Sequence, residues 1–245
     1  MALLGCFILA FGWFGFNPGS TLAGTDLRIA VIAVNTMLAS ASGAIFAMLY
    51  MWKKYGKPDP SMSANGLLAG LVAITAPCAF VSSFWAFVIG AIAGVLVCMS
   101  VEFVERTLKV DDPVGAVSVH GACGAWGVVS LGIFADGTYG DGFNGIAGGV
   151  RGILYGDASQ FVAQIIGPVV NLVFIFCASW AFFKVLDAVV GMRVSAEVEI
   201  EGLDVPEMGG HGYPEVQGPS TRPGMAPSPA TSHLASSVLT PEHGR

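Results

Sequence analysis

Long apolar runs occupy most of the first 190 residues, and they restrict the fold more than any other feature of this chain. A helix needs about 20 apolar residues to cross the hydrocarbon core of a bilayer. Six segments meet or approach that length, at about residues 2–16, 27–52, 65–81, 83–103, 113–135 and 159–190. The sequence therefore predicts an all-α membrane protein with about six transmembrane helices.

The composition agrees with a membrane location and excludes several other classes of protein. Charged residues make up 11% of the 245 residues and the mean hydropathy is +0.70, whereas soluble domains carry about 25% charged residues. With only 11 lysines and arginines and a net charge of -6, the chain has no basic face for nucleic acid. The sequence contains no nucleophile–base pair, metal-ligand cluster or phosphate-binding loop. We therefore predict neither an enzyme nor a bound metal or cofactor.

Basic residues in the linkers predict the orientation. Seven of them lie in the linkers on one side and two on the other, and basic linkers favour the cytoplasm. This bias predicts a membrane domain over residues 1–191 and a cytoplasmic tail over 192–245, the last part of which, from about residue 218, we expect to be disordered. The seven are Lys53, Lys54, Lys57, Arg106, Lys109, Lys184 and Arg193, and the two are Arg28 and Arg151.

His120 is the one histidine of the chain that lies within an apolar run. Asp112 and Pro113 before it resemble an N-cap followed by a proline at the first helical position. On that interpretation, His120 lies about 12 Å into the span, at 1.5 Å per residue. An ionisable side chain at such depth usually faces a cavity or the bundle interior. A structural histidine with one backbone partner is the alternative.

The first apolar run ends in a segment that could receive a cation. In a helix, Trp13, Phe16, Asn17 and Ser20 fall on one face by their spacing. Aromatic faces attract cations by about 0.5–2 kcal/mol, and the Ser20 hydroxyl offers an acceptor oxygen. An interfacial aromatic belt is the alternative interpretation, because tryptophan is common at membrane surfaces.

Four strings resemble signatures of the ammonium transporter (Amt/Mep/Rh) family, in particular its bacterial Amt branch. They are GWFGFNPGS at 12–20, ITAPCAFVSSFWAFVIGAIAG at 74–94, DDPVGAVSVHGACGAWG at 111–127 and DAVVGMRVSAEVEIEGLDVPEMGGHGYPE at 187–215. The resemblance implies a trimer with one pore per subunit. It also implies that this chain corresponds to the last six of eleven spans, the second of two inverted repeats plus a closing helix. The start within an apolar run leads us to expect an incomplete chain.

The resemblance also implies roles for individual residues. Phe16 is similar to the inner phenylalanine that gates the outer pore mouth, and Trp13 and Ser20 match residues of an outer recruitment site. His120 matches the second of the paired pore histidines, and Asp112 matches the carboxylate at the inner start of that helix. No residue can be assigned to the sites of the first repeat.

The function that the resemblance implies is ammonium/ammonia transport across the lipid bilayer of the cell membrane, with deprotonation in the pore. The tail resembles those that cooperate with PII-type regulatory proteins. Two alternatives stay open: an ammonium sensor or regulatory subunit of the same fold, and a non-conducting fragment.

Overall fold

The computed structural model describes residues 2–138, 148–210 and 212, and helices dominate these ranges. A π-helical segment, Phe103–Leu108, continues the helix Ser83–Glu102. Another, Val117–Ala122, leads into the helix Cys123–Phe134. No strand occurs within the described ranges, which confirms the predicted all-α fold class. The tail segment that we expect to be disordered lies outside the described residues. The principal helices are α1 (Ala2–Gly19), α2 (Arg28–Tyr55), α3 (Pro60–Thr75), α4 (Ser83–Glu102), α5 (Cys123–Phe134) and α6 (Ala158–Val190).

Among the described residues, five helical stretches are long and apolar enough to cross a membrane. They are α1, α2, α4 with its π-helical extension, the stretch Val117–Phe134, and α6. The third predicted span differs, because α3 has 16 residues and begins at Pro60 rather than near residue 65. Asp59 fixes this start, since its Oδ1 accepts from the backbone N–H groups of Ser61 and Met62 at 2.8 and 3.1 Å. The six-span arrangement stays a prediction, and α3 is its shortest member.

Helix α2 packs between α3 and α4 by close approach of backbones. A Cβ atom at Gly70 of α3 or at Gly90 of α4 would overlap the same carbonyl oxygen, that of Ala39 on α2. One turn further along, a Cβ at Gly94 would overlap the carbonyl oxygen of Gly43. Small residues of this kind allow membrane helices to reach van der Waals contact along their length. The three helices therefore pack closely together, and Val119, Cys123 and Phe134 of the stretch Val117–Phe134 belong to the same buried core.

The chain between α3 and α4, residues 76–82, is not helical, and a buried asparagine stabilises it. Asn35 on α2 is completely buried, and its Nδ2 donates to the carbonyl oxygens of Cys78 and Val81, both at 2.9 Å. The hydroxyl of Ser83 donates to Asn35 Oδ1 at 3.0 Å. Non-helical backbone at membrane depth is tolerated only where its polar groups are satisfied. Asn35 meets that condition for this tight join.

Two of the six principal helices bury little within the described structure. Only Asn17 and Pro18 of α1 are buried, and no residue of α6 is buried along its 33 residues. A continuous apolar surface of this size marks contact with lipid or with other protein.

The chain divides into two units, with the boundary between Ala178 and Ser179. After the end of α6, the described part of the second unit contains two short helices, α7 (Ala196–Glu201) and α8 (Asp204–Met208). The Ser195 side chain caps α7 by accepting from the backbone N–H of Val198. Arg193 pairs with Glu199 at 2.8 Å.

Candidate functional site

His120 lies in the π-helical segment Val117–Ala122. The wider turn is defined by a hydrogen bond from the backbone N–H of Cys123 to the carbonyl oxygen of Ser118, five residues earlier. Ser118 and Val119 are buried, whereas the His120 side chain is exposed. Within the described residues, the imidazole has no hydrogen-bond partner. Single π-helical turns inside helices occur frequently at functional sites.

The packed face of this stretch is marked by four buried residues, Ser118, Val119, Cys123 and Gly127. Val119, Cys123 and Gly127 repeat every four residues, as on one face of a helix. His120 is exposed and lies outside this buried set.

Asp112 holds the start of this helix by a different geometry from the one that the sequence predicts. The N-cap interpretation places Pro113 at the first helical position, but residues 113–114 form a turn and the helix begins about three residues later. The Asp112 carboxylate, 5% exposed, reaches over that turn and accepts from the backbone N–H groups of Ala116 and Val117 at 2.8 and 3.0 Å. Gly115 permits the turn because its φ is +71°, in the left-handed region. The negative carboxylate also stabilises the positive end of the helix dipole.

Three predicted mouth residues lie together at the end of α1. The rings of Trp13 and Phe16 meet edge to face, with 5.7 Å between centroids. Phe16 is 55% exposed, and Ser20 is exposed just beyond the helix. The Ser20 hydroxyl donates to the Phe16 carbonyl oxygen at 2.7 Å, which leaves its oxygen lone pairs open to a donor. Asn17, expected on the same face, is instead buried against α2.

Two hydrogen bonds attach this end of α1 to the core. The Trp13 indole Nε1 donates to the Thr75 hydroxyl on α3 at 2.9 Å, and Asn17 Nδ2 donates to the Thr36 hydroxyl on α2 at 3.0 Å. Asn35 and Thr36, which form buried hydrogen bonds near this end of α1, are not predicted from the apolar pattern. Their signal is a pair of adjacent polar residues, Asn35-Thr36, in the middle of an apolar run.

The structure brings Trp13, Phe16 and Ser20 together but links none of them directly to His120. No hydrogen bond or ring contact joins His120 to these three residues in the described part of the chain. The mouth residues lie on α1, and His120 lies on the segment that precedes α5. These elements form two separate clusters of candidate residues.

The chain matches a known family over most of its length. The model described as Ammonium Transporter Family matches residues 1–213. Ammonium transporter Amt2 of Archaeoglobus fulgidus is 48% identical over 213 residues, which cover 87% of this chain and 45% of that protein. Ammonium transporter Amt1 of Haloferax mediterranei is 38% identical over 231 residues, which cover 90% of this chain and 42% of that protein.

Solved structures agree with the sequence matches. A structure titled Sensor Amt Protein has a TM-score of 0.73 at 37% identity, covering 83% of this chain and 48% of that one. Mep2 of Saccharomyces cerevisiae has a TM-score of 0.73 at 30% identity, covering 79% of this chain and 43% of that one. The chain spans about half the length of the curated relatives it matches. From its sequence and its fold alike, the chain belongs to the Ammonium Transporter Family.

Proposed function

We propose that this chain is part of an ammonium transporter in the cell membrane and supplies one wall of its pore. The exposed imidazole of His120, on a helix that is otherwise apolar, carries the proposal. A polar group facing hydrocarbon without a partner costs several kcal/mol. The imidazole is therefore expected to face a polar path rather than lipid in the complete assembly. The family membership and the names of the relatives supply the substrate.

At the outer mouth, the residues at the end of α1 recruit the ammonium ion. The Ser20 oxygen accepts from ammonium, because the hydroxyl proton is already committed to the Phe16 carbonyl oxygen. The exposed Phe16 ring and its neighbour Trp13 offer aromatic faces that attract the charge. Ser20 is at the surface, so the ion keeps part of its hydration during this first step.

Desolvation then separates ammonium from its proton. Carrying a bare ion through an apolar path is far costlier than carrying neutral ammonia. Breaking one N–H bond of ammonium yields ammonia and a proton, and the proton needs an acceptor. A neutral imidazole can accept it at one nitrogen and can donate from the other. His120 performs this exchange on the open face of its helix.

Assembly and orientation extend the same proposal. The unburied apolar surfaces of α1 and α6 support contact with lipid, with further helices of the transporter and with other subunits, in a homotrimer. The bias of basic linkers supports a cytoplasmic carboxyl terminus. The resemblance of the tail supports a PII-type regulatory protein as a partner.

A sensor of the same fold is the second candidate, supported by the similarity to the structure titled Sensor Amt Protein. Uptake of labelled methylammonium separates the two functions. Cells that lack other ammonium transporters should express the complete open reading frame that encodes this chain. Saturable uptake that ammonium competes away, and that His120→Ala reduces, supports transport. Ammonium binding without uptake supports a sensor and contradicts the transport proposal.

The alternative that residues 1–245 are a non-conducting fragment can be tested with this chain alone. A pore between two repeats needs both walls, and residues 1–245 supply one. Vesicles holding only this chain should show no rapid internal pH change on an ammonia gradient, whereas vesicles holding the complete transporter should. A fast, saturable, His120-dependent signal from the chain alone would show that two copies can form both walls.

A further inference from the structure

The mouth residues lie on a helix that buries few of its own residues in the described structure. Of the 18 residues of α1, only Asn17 and Pro18 are buried. In the described structure, two side-chain hydrogen bonds tie α1 to other helices, from Trp13 to Thr75 and from Asn17 to Thr36. Both attach the second half of α1, which carries Trp13 and Phe16. These two bonds hold the mouth end of α1 against α3 and α2.

The surroundings of Thr36 determine which atom donates in its hydrogen bond with Asn17. Thr36 is 1% exposed, and its hydroxyl donates its single proton to the Ile32 carbonyl oxygen at 2.7 Å. The hydroxyl can therefore only accept from Asn17, which must present its Nδ2. With the amide in that orientation, Asn17 Oδ1 is buried and has no hydrogen-bond partner in the described structure. A buried oxygen without a partner is unfavourable and does not stabilise this orientation. The hydrogen bond from Nδ2 to the Thr36 hydroxyl is the side-chain contact that holds the amide in place.

Asn17 lies directly between the residues that face the substrate. Phe16 precedes it, Ser20 follows one turn later, and the Ser20 hydroxyl is bonded to the Phe16 carbonyl oxygen at 2.7 Å. A shift of Asn17 against α2 therefore moves the Phe16 ring and the Ser20 oxygen together. We propose that Thr36 is a positioning residue for ammonium recruitment, which acts through Asn17 and does not contact the substrate. This inference rests on the proposed function, because it assigns Thr36 to the same outer mouth.

Two substitutions at position 36 separate the hydroxyl from the shape of the side chain. Thr36→Val keeps the shape and removes the acceptor, whereas Thr36→Ser keeps the acceptor. In the complete transporter, Thr36→Val should raise the half-saturating ammonium concentration severalfold and leave maximal uptake within about twofold, because the chemistry at His120 is untouched. Thr36→Ser should restore the wild-type value. Ser42→Ala is the matched control, since Ser42 is also buried on α2 but donates to Phe87 and Ala39 carbonyl oxygens.

A double-mutant cycle tests whether Thr36 acts through Asn17. Asn17→Leu should raise the half-saturating ammonium concentration. Adding Thr36→Val to Asn17→Leu should change that value little, because both substitutions remove the same hydrogen bond. Additive effects would overturn the inference. A fall in maximal uptake with an unchanged half-saturating concentration would overturn it as well, because it would indicate a general folding defect.

Hydrogen–deuterium exchange supplies a readout that does not need transport. Thr36→Val should accelerate exchange in peptides that cover residues 13–21, and Thr36→Ser and Ser42→Ala should not. If the wild-type transporter takes up no ammonium, the proposed function fails, and the exchange result still decides whether Thr36 fixes the end of α1. If exchange is unchanged by Thr36→Val, the positioning inference fails, whatever uptake shows.

Discussion

Ser118 and His120 lie on one π-helical turn and have opposite environments, since Ser118 is completely buried and His120 is exposed. The buried Ser118 hydroxyl has no hydrogen-bond partner in the described structure. This pair offers a substitution and its control two residues apart.

We expect His120→Ala to abolish most uptake in the complete transporter, or to let potassium compete with ammonium, while Ser118→Ala leaves both properties unchanged. The physical reason is the proposed role of His120 in handling the substrate's proton, whereas the Ser118 hydroxyl is desolvated without compensation. Removing that hydroxyl should raise the stability by about 1 kcal/mol or leave it unchanged. Uptake of labelled methylammonium with and without potassium, and thermal unfolding in detergent, measure the two effects. Normal uptake and selectivity in His120→Ala would reduce His120 to a packing residue.

We expect Ser20→Ala to weaken recruitment and not the chemistry. Losing one hydrogen bond to a charged ligand at an exposed site should raise the half-saturating ammonium concentration by about tenfold or less. Flux at saturating ammonium should change little, and Ser20→Thr, which keeps the oxygen, should resemble the wild type. Uptake measured over a wide range of ammonium concentrations distinguishes these outcomes. Equal losses at low and high ammonium would argue against a recruitment site.

We expect Gly90→Ala to disrupt the packing of α4 on α2. The new Cβ would overlap the Ala39 carbonyl oxygen, and overpacking of this kind costs about 1–3 kcal/mol. Gly124→Ala is the matched control, because its Cβ would meet Val72 Cγ1 at an ordinary 3.7 Å. Thermal unfolding in detergent should show a lower midpoint for Gly90→Ala only. Equal midpoints for both variants would contradict the close approach.

We expect Asn35→Leu to destabilise the join between α3 and α4. The change leaves the carbonyl oxygens of Cys78 and Val81 without their donor, at a cost of about 1–3 kcal/mol for each buried group. Asn35→Asp should destabilise similarly, although it keeps the acceptor for Ser83. Protease sensitivity between residues 76 and 82 should rise in both variants. Wild-type sensitivity would show that this join does not depend on the Asn35 side chain.

We expect the pair of Asp26 and Arg28, between α1 and α2, to respond to acid. The hydrogen bond from the Arg28 side chain is the largest cause that holds the pKa of Asp26 below its usual 3.8, and the two groups pair at 2.7 Å. Because the folded pKa is lowered, the stabilisation is present above pH 3.8 and is lost as the pH falls through the folded pKa. Asp26→Asn should therefore unfold at a lower temperature than the wild type near neutral pH. The difference should disappear in strong acid, and a difference that persists there would exclude this charge effect.

The sequence predicts helices where apolar runs are long, because only a helix satisfies its own backbone in lipid. It also identifies His120, since an ionisable residue in such a run is conspicuous. It fails at the start of that helix, where Asp112 reaches two later amides and a π-helical turn follows, because hydrophobic periodicity does not reveal one added residue per turn. It also fails for Asn35 and Thr36, whose partners lie far away in the chain or on another helix.

The hydrogen bonds that Asn35 donates to the carbonyl oxygens of Cys78 and Val81 have a consequence for the order in which the fold is built. Helix α3 has 16 residues, fewer than a free-standing span requires, and the non-helical backbone after it would enter the bilayer with unpaired carbonyl groups. Asn35 is synthesised 43 residues before the first of those carbonyl groups, that of Cys78. The donor for the turn between α3 and α4 therefore exists before the turn itself, and α2 can offer it as soon as the two helices pack against it.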